Sequence, residues 1–238
     1  MVFGCTYDGG FAEYMLIPEK GVERGVLVKT PAEITDAEGT MIEPLSCCLH
    51  GLRRLDIQPG DSVAIFGAGP IGISHMIIAK KLGAGKLAII DMVKSRLEGA
   101  LSFGADATFN TEEKDWKDQI FDYFGPMGVD VIITAAPSVK TAENGYGIVK
   151  NGDKMLIFGG LPHGSIWNMD PNILHYNEIT IIGSIDATID DFRRAMSMAP
   201  DLNLKRFITH TLSLDKVTEG MEIIHRKEGM KVVMDMVQ

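Results

Sequence analysis

Short apolar runs alternate with helical patterns along the chain from about residue 60 onward. Each run is almost continuous in β-branched or large apolar residues, which is typical of strands covered on both faces of a parallel sheet. The runs predict six strands, at Ser62–Phe66, Lys86–Asp91, Ala107–Asn110, Val129–Thr134, Asp153–Phe158 and Ile179–Ile182.

The segments between these strands carry apolar residues at helical spacing and meet the strands at glycine-containing joints. They predict helices at Pro70–Leu82, Lys94–Phe103, Glu113–Phe124 and Lys140–Lys150. Regular alternation of strands and crossover helices is typical of an α/β protein. The sequence therefore predicts a doubly wound, six-stranded parallel sheet.

The two flanks of the chain do not follow this alternation. Residues from Met1 to about Glu33 indicate short strands and turns. The C-terminal flank predicts two helices and two strands, at Asp191–Met198, Arg206–Thr211, Leu214–Lys227 and Lys231–Met236 in chain order.

Composition narrows the classes of partner and location. The formal net charge of the 238 residues is −9 without a basic cluster, which argues against nucleic acid and anionic membrane surfaces. Cys5, Cys47 and Cys48 give no even disulfide framework and favour a reducing, cytoplasmic setting. The uncharged window Ser62–Ala79 contains Pro70 and several glycines, so it indicates a strand, a turn and a helix rather than a membrane span. We expect a soluble protein.

The strongest chemical motif is Gly67-Ala68-Gly69-Pro70-Ile71-Gly72, directly after an apolar strand. Gly67 permits a tight turn, Gly69 lets the backbone approach a pyrophosphate, and Gly72 lets the helix pack close to the sheet. Pro70 suits the first helical position, where the free amides and the helix dipole favour a bound diphosphate.

An acidic residue completes this motif. Asp91 ends the second predicted strand, nineteen residues beyond Gly72. A carboxylate there accepts hydrogen bonds from the adenine-ribose hydroxyls and repels a 2′-phosphate, so the sequence predicts NAD binding in preference to NADP. Lys94 and Arg96 leave NADP open, although Asp91 would then have to move aside. We expect the Arg96 side chain to lie against the adenine end of the bound cofactor.

A possible metal site lies along one predicted helix face. Glu43, Cys47 and His50 stand at i, i+4 and i+7 and have zinc-competent side chains. One helix face seldom supplies a whole tetrahedral site, so we interpret these residues as helix packing and assign no metal ligand.

Tyr146 and Lys150 match the Y-x-x-x-K catalytic pair of short-chain dehydrogenases. The pair lies only 79 residues after Gly67, and Ile133 stands where that family places its serine. We interpret the match as a coincidence, with Lys150 capping a helix end.

Several motifs together resemble the medium-chain dehydrogenases, in the zinc-type branch that contains sorbitol and related polyol dehydrogenases. The resemblance covers nearly the whole chain. It rests on Asp8–Tyr14 with Ile17-Pro18, Glu43–Ser46 with His50, Pro59–Asp61, the glycine loop, Asp91 with Arg96, Gly104–Asp106, Gly152-Asp153 and Ile208–His210.

This resemblance implies an oxidoreductase that transfers hydride between a secondary alcohol or polyol and NAD, with zinc polarising the alcohol in full-length relatives. Relatives carry the cysteine and histidine zinc ligands ahead of the segment that resembles Asp8–Tyr14. Of the residues near that zinc only Glu43 is present here, and the resemblance assigns no catalytic residue. The implied cofactor contacts are Gly67, Gly69, Pro70, Ile71, Gly72, Asp91, Arg96, Ala135, Phe158 and Gly159.

The resemblance also implies the domain organisation. Residues 49–187 would form a Rossmann domain, while residues 1–48 and 188–238 would belong to what is present of a β-rich, GroES-like catalytic domain. Relatives pair through the sixth strand, which implies a homodimer or homotetramer contact at Glu178–Ile182. Two alternatives stay open: a non-catalytic NAD(H)-binding fragment, and a zinc-independent reductase whose proton donor is not identified.

Overall fold

The structure, a computed structural model, describes residues 3–236 and consists of two compact units. One unit is Cys47–Ala187, and the other combines Met1–Ser46 with Thr188–Gln238. Residues 1, 2, 237 and 238 of the predicted flanks lie outside the described residues.

The larger unit contains the predicted six-stranded parallel sheet. Its strands are β1 (Val63–Phe66), β2 (Leu87–Asp91), β3 (Ala107–Asn110), β4 (Val129–Thr134), β5 (Val149–Ile157) and β6 (Thr180–Gly183). Their order is β3-β2-β1-β4-β5-β6, with every neighbouring pair parallel. The order reverses between β1 and β4, so the prediction of a doubly wound, Rossmann-type sheet is confirmed.

Helices cover this sheet and make up much of the smaller unit. In chain order they are α1 (Glu19–Glu23), α2 (Asp36–Gly39), α3 (Ile42–Leu55), α4 (Pro70–Lys81), α5 (Lys94–Phe103), α6 (Trp116–Phe124), α7 (Val139–Tyr146), α8 (Pro171–Asn177), α9 (Ile189–Met198) and α10 (Val217–His225). Helices α1, α2 and α8 were not predicted from the sequence.

Local sequence explains how the crossover helices start and stop. Helix α4 has Gly69 at its N-cap and Pro70 at its first position, where a missing amide hydrogen costs nothing. Helix α5 ends at Gly104 with φ +104°, the left-handed conformation that glycine adopts most readily. All four residues of β1 are buried, and the Phe66 ring meets Trp116 edge-on at 6.1 Å between centroids.

The structure corrects the boundary between the fourth predicted helix and the fifth strand. Helix α7 ends at Tyr146, and β5 begins at Val149 rather than Asp153. Lys150 therefore lies in a strand, so the prediction that it caps a helix is wrong. Its ammonium instead forms ion pairs with Asp130 at 2.5 Å and Asp153 at 3.6 Å.

This ion-pair cluster explains why the strand starts early. The backbone amide and the hydroxyl of Ser62 both donate to Asp130, at 2.8 and 2.6 Å. Burial raises the pKa of Asp130, but the hydrogen bonds from Lys150 and Ser62 outweigh it and hold that pKa below its usual value. The cluster ties the beginnings of β1, β4 and β5 together.

Within the residues that the structure describes, the smaller unit has fewer strands than the sequence predicted. Strands β7 (Ile208–Ser213) and β8 (Lys231–Asp235) form a parallel pair. The described part of the N-terminal flank has an isolated bridge between Phe3 and Tyr7 and the helix α1, so the prediction of short strands there is wrong. The predicted helix Leu214–Lys227 is a 3₁₀ turn at Leu214–Lys216 followed by α10.

A histidine lies in the interior of the larger unit. His75, on α4, is fully buried, and its ring meets the Phe158 ring edge-on at 4.4 Å. Neither ring nitrogen has a hydrogen-bond partner among the described residues. Burial without a partner penalises the charged form and lowers the pKa of His75 to about 3.

This burial predicts acid sensitivity. At neutral pH His75 is uncharged in both states, but the unfolded chain binds its proton below pH about 6.5 while the folded chain does not. The free energy of unfolding should therefore fall by about 2 kcal/mol from this residue alone between pH about 7.5 and about 5. Chemical denaturation at a series of pH values measures the loss.

In this test His75→Leu should weaken the pH dependence by that amount, while His163→Gln, at an exposed position, should keep the wild-type slope. Equal slopes for His75→Leu and wild type would contradict the assignment.

Candidate functional site

The glycine loop joins β1 to α4 at the carboxyl edge of the sheet. Gly67 adopts φ +113°, and its amide donates to the Ile90 carbonyl oxygen at 2.8 Å. The chain then enters α4 through Gly69. The first amides of a helix have no partner within it, so this helix start points free donors and the positive end of its dipole at the crevice.

The surroundings of two loop glycines show why each is needed. A Cβ on Gly72 would overlap the carbonyl oxygen of Gly67, so only glycine allows α4 to lie this close to the loop. A Cβ on Gly69 would meet no atom within 4 Å. Gly69 therefore borders open space, in which a ligand group can approach the backbone.

Asp91 is fixed against this loop by both of its carboxylate oxygens. One oxygen accepts from the Ala68 amide at 2.7 Å and the other from the Val93 amide at 2.9 Å. The sequence predicted a ligand-facing acid but not this second role as an anchor of the glycine loop. Because both oxygens are held, the carboxylate cannot move aside without breaking a loop contact.

A cavity of about 450 Å³ opens beside Gly67 and Asp91. Trp116 and Phe66 contribute aromatic surface to it, and residues that follow β3 and β4 form two of its walls. The full lining is Phe66, Gly67, Ile90, Asp91, Met92, Thr111, Glu112, Trp116, Ala136, Ser138, Lys140, Thr141 and Asn144. Apart from Gly67 and Asp91, sequence reasoning did not identify these residues, because no motif marks them.

The remaining predicted site residues lie at the same edge of the sheet but outside this lining. The Ala135 amide donates to the Phe66 carbonyl at 2.8 Å, and the amides of Phe158 and Gly159 donate to the Thr134 carbonyl. A Cβ on Gly159 would come within 2.9 Å of the Ala136 backbone, so β4 and β5 end in close contact.

Arg96, Pro70 and Ile71 complete the predicted set. Pro70 and Ile71 form the first turn of α4, where the Ile71 carbonyl accepts from the Cys48 thiol at 3.8 Å. Arg96 is half-buried on α5. Its guanidinium has no hydrogen bond or ion pair with another described residue, so it stays available to a ligand.

The side chains of the possible metal site do not form a complete ligand group in the part of the chain that the structure describes. Glu43, Cys47 and His50 do lie on one helix, α3. Within residues 3–236, however, no group of three His, Cys, Asp or Glu side chains could hold a metal ion. Over the same residues, no helix combines the length and the apolar character needed to cross a bilayer.

The short-chain-dehydrogenase match also lacks the geometry of a catalytic pair. The Tyr146 hydroxyl is buried without a hydrogen-bond partner among the described residues. Burial, with a smaller contribution from Asp170, raises the pKa of Tyr146. The Lys150 ammonium is engaged by Asp130 and Asp153, so it does not lower that pKa.

Comparison with known proteins identifies the family. The sequence profile of the zinc-binding dehydrogenases matches residues 70–201, which is more than half of the chain. The chain therefore belongs to the zinc-binding dehydrogenase family, and the resemblance drawn from the sequence is confirmed.

Individual relatives agree with this assignment. D-xylulose reductase A of Aspergillus niger is 30% identical over 98% of this chain, which spans 65% of that relative. A protein assigned as a zinc-binding dehydrogenase from Sinorhizobium meliloti 1021, solved with NADP, is 31% identical with a TM-score of 0.81, covering 89% of this chain and 61% of that one. Alcohol dehydrogenase TADH from Thermus sp. ATN1 is 25% identical with a TM-score of 0.80, covering 87% and 61%.

The two loop glycines give a matched pair of variants. Gly72→Ala should lower the free energy of unfolding by about 3 kcal/mol, because α4 must shift to relieve the overlap with Gly67. Gly69→Ala, with φ −80° and open space around its Cβ, should leave stability within about 0.5 kcal/mol of wild type. Denaturant unfolding compares them, and equal losses would show that the close approach is not what requires glycine.

Proposed function

We propose that this protein binds NAD(H) at the glycine loop and serves hydride transfer between NAD and a secondary alcohol or polyol. The observation that carries the proposal is the double anchoring of Asp91 beside the free helix start of α4. A fixed carboxylate and a cluster of free amides recognise a ribose and a diphosphate, which are adjacent groups of one dinucleotide.

The residues fit the parts of this cofactor. The diphosphate would lie over Gly69 and the first turn of α4, where nothing obstructs it. The adenine ribose would meet Asp91, and the adenine would enter the cavity beside Trp116. Ala135, Phe158 and Gly159, at the ends of β4 and β5, would line the path toward the nicotinamide. When bound, NAD supplies the hydride acceptor.

The substrate class is proposed from the relatives. A D-xylulose reductase is among them, and polyols and secondary alcohols share the carbinol that loses hydride. In zinc-type relatives a metal polarises the alcohol oxygen. The described residues do not fit a zinc ion, so no step through zinc and no catalytic residue is assigned.

A second candidate is dinucleotide binding without turnover. It is favoured by the described residues, which present a candidate cofactor site but no group of three His, Cys, Asp or Glu side chains that could hold a metal ion. NADH binding without alcohol-dependent NADH formation, tested over a panel of polyols and secondary alcohols, would select this candidate. We also propose a cytoplasmic location, which a sequence with three cysteines and no even disulfide framework supports.

Cofactor choice tests the proposed site. We expect NADH to bind at least about tenfold more tightly than NADPH, because the fixed Asp91 carboxylate repels a 2′-phosphate. Asp91→Asn should reduce this preference while keeping an oxygen for one loop amide. Titration followed by tryptophan fluorescence measures both dissociation constants, and Glu98→Gln, which neutralises an exposed carboxylate on α5, is the control.

Two results would count against this assignment. Equal affinity of wild type for the two cofactors would remove Asp91 as the discriminator. Absence of binding for both would remove the proposed function. The NADP found with the relative from Sinorhizobium meliloti makes the comparison informative.

We propose, in addition, that two copies pair through the free edge of β6. This strand lies last in the sheet and, among the described residues, pairs only with β5. It contains no proline, lysine or arginine, the residues that commonly protect an edge from pairing. The strand begins at Thr180, so Glu178, which caps α8 with φ 53°, belongs to the predicted pairing segment Glu178–Ile182 but not to the strand.

The hydrogen bonds of β6 identify the informative variant. The Ser184 amide donates to the Ile157 carbonyl, and donors on one side of a strand repeat every second residue. The amides of Ile181 and Gly183 therefore face away from β5. Ile181→Pro removes an outward donor and should dissociate the dimer, whereas Thr180→Val removes none and should not.

Sedimentation over a concentration series, with circular dichroism to verify folding, measures the effect. A dimer that is unaffected by Ile181→Pro would exclude pairing through this edge.

A further inference from the structure

Glu112 lies at the same edge of the sheet as Asp91, one strand farther out. In the pairing of β2 with β3, Asn110 is opposite Asp91. The Thr111 amide then donates to the Asp91 carbonyl oxygen at 3.1 Å. The chain beyond β3 is therefore tied directly to the residue that would contact the adenine ribose.

A local turn directs Glu112 into the cavity. The Asn110 side-chain oxygen accepts from the Glu112 amide at 2.9 Å, and the Asn110 carbonyl accepts from the Glu113 amide at 3.1 Å. This turn leaves Glu112 in the cavity lining with Asp91. Glu113 is not part of that lining, and its carboxylate accepts from the Gln119 side chain at 2.9 Å.

The charges around the cavity are unbalanced. Its charged lining residues are Asp91, Glu112 and Lys140. The Lys140 ammonium is 3.5 Å from the Glu143 carboxylate and is largely exposed, so its charge is partly offset. The Glu112 carboxylate has no hydrogen bond or ion pair with any residue in the described range. Two carboxylates therefore act on whatever occupies the ribose end of the cavity.

We propose that Glu112 is a second specificity-determining residue, which together with Asp91 selects NAD over NADP. The inference rests on the proposed function, NAD(H) binding at this site. A 2′-phosphate adds nearly two negative charges to the adenosine, and a second carboxylate in the same cavity raises the cost of placing them there. Replacing Asp91 alone should consequently leave part of the discrimination in place.

The experiment measures dissociation constants for NADH and NADPH by calorimetry. The variants are Glu112→Gln, Glu112→Lys, Asp91→Asn and the double variant Asp91→Asn with Glu112→Gln. Glu113→Gln is the matched control, one residue away and outside the cavity. We expect Glu112→Gln to reduce the preference for NADH about threefold and Glu112→Lys about tenfold, through tighter NADPH binding and an almost unchanged NADH affinity.

Ionic strength separates this electrostatic role from a structural one. The effect of Glu112→Lys should shrink at about 0.5 M salt, because exposed charges are screened there. A preference that is unchanged in both Glu112 variants, or changed equally by Glu113→Gln, would overturn the proposal while NADH binding itself stands. If neither wild type nor any of the variants binds NADH or NADPH, the proposed function itself is overturned.

Discussion

The contact of Gly72 with the Gly67 carbonyl is the constraint on which the candidate site depends. It sets how close α4 lies to the end of β1, and so where the free amides of the helix start are held. Asp91 then fixes the same loop from the second strand through the Ala68 amide. The loop is thus held in shape by contacts within the chain itself.

A second property of the site follows from the sheet order. β1 and β4 are neighbouring strands, and the sheet order reverses between them. The connections that leave them therefore run to opposite sides, and the carboxyl ends of the two strands border a crevice that the loops after β2, β3 and β4 surround. The apolar floor is provided by Phe66 and Trp116, whose rings already pack against each other. The charged residues of the lining are Asp91, Glu112 and Lys140, and none of them is buried. An apolar floor with a charged rim suits a flat base joined to a polar sugar.

The sequence predicted those features that a few adjacent residues determine. Gly67 and Gly72 each meet a local steric demand, and Gly69 borders open space, so the spacing of these glycines was sufficient to predict the loop. The six strands were recognisable because burial on both faces leaves almost continuous apolar runs. The acidic end of β2 was recognisable for its spacing from the loop.

Features that depend on distant pairing were not predictable in this way. The early start of β5 depends on Asp130 and Ser62, far from Lys150 along the chain, and the pattern from Tyr146 onward looked helical. The place of Glu112 in the cavity depends on a turn at Asn110 and on the register of β3 with β2. The hydrogen bonds that anchor Asp91 come from the Ala68 and Val93 amides, and Ala68 is brought to Asp91 only by the folded loop, so this anchoring was not predictable either.

The amides of β6 point alternately toward β5 and away from it, and this alternation has a geometric consequence for any symmetric assembly. Only Ile181 and Gly183 present outward amides within this four-residue strand. If two copies of the strand pair in antiparallel fashion and use both amides, Ile181 of one copy lies opposite Gly183 of the other, and Gly183 lies opposite Ile181. The two-fold axis then passes beside Ile182. The two Ile182 side chains would then face each other as a non-hydrogen-bonded pair, with Cα atoms about 4.5 Å apart. Ile182 of one copy would thereby contact Ile182 of the other copy across the two-fold axis.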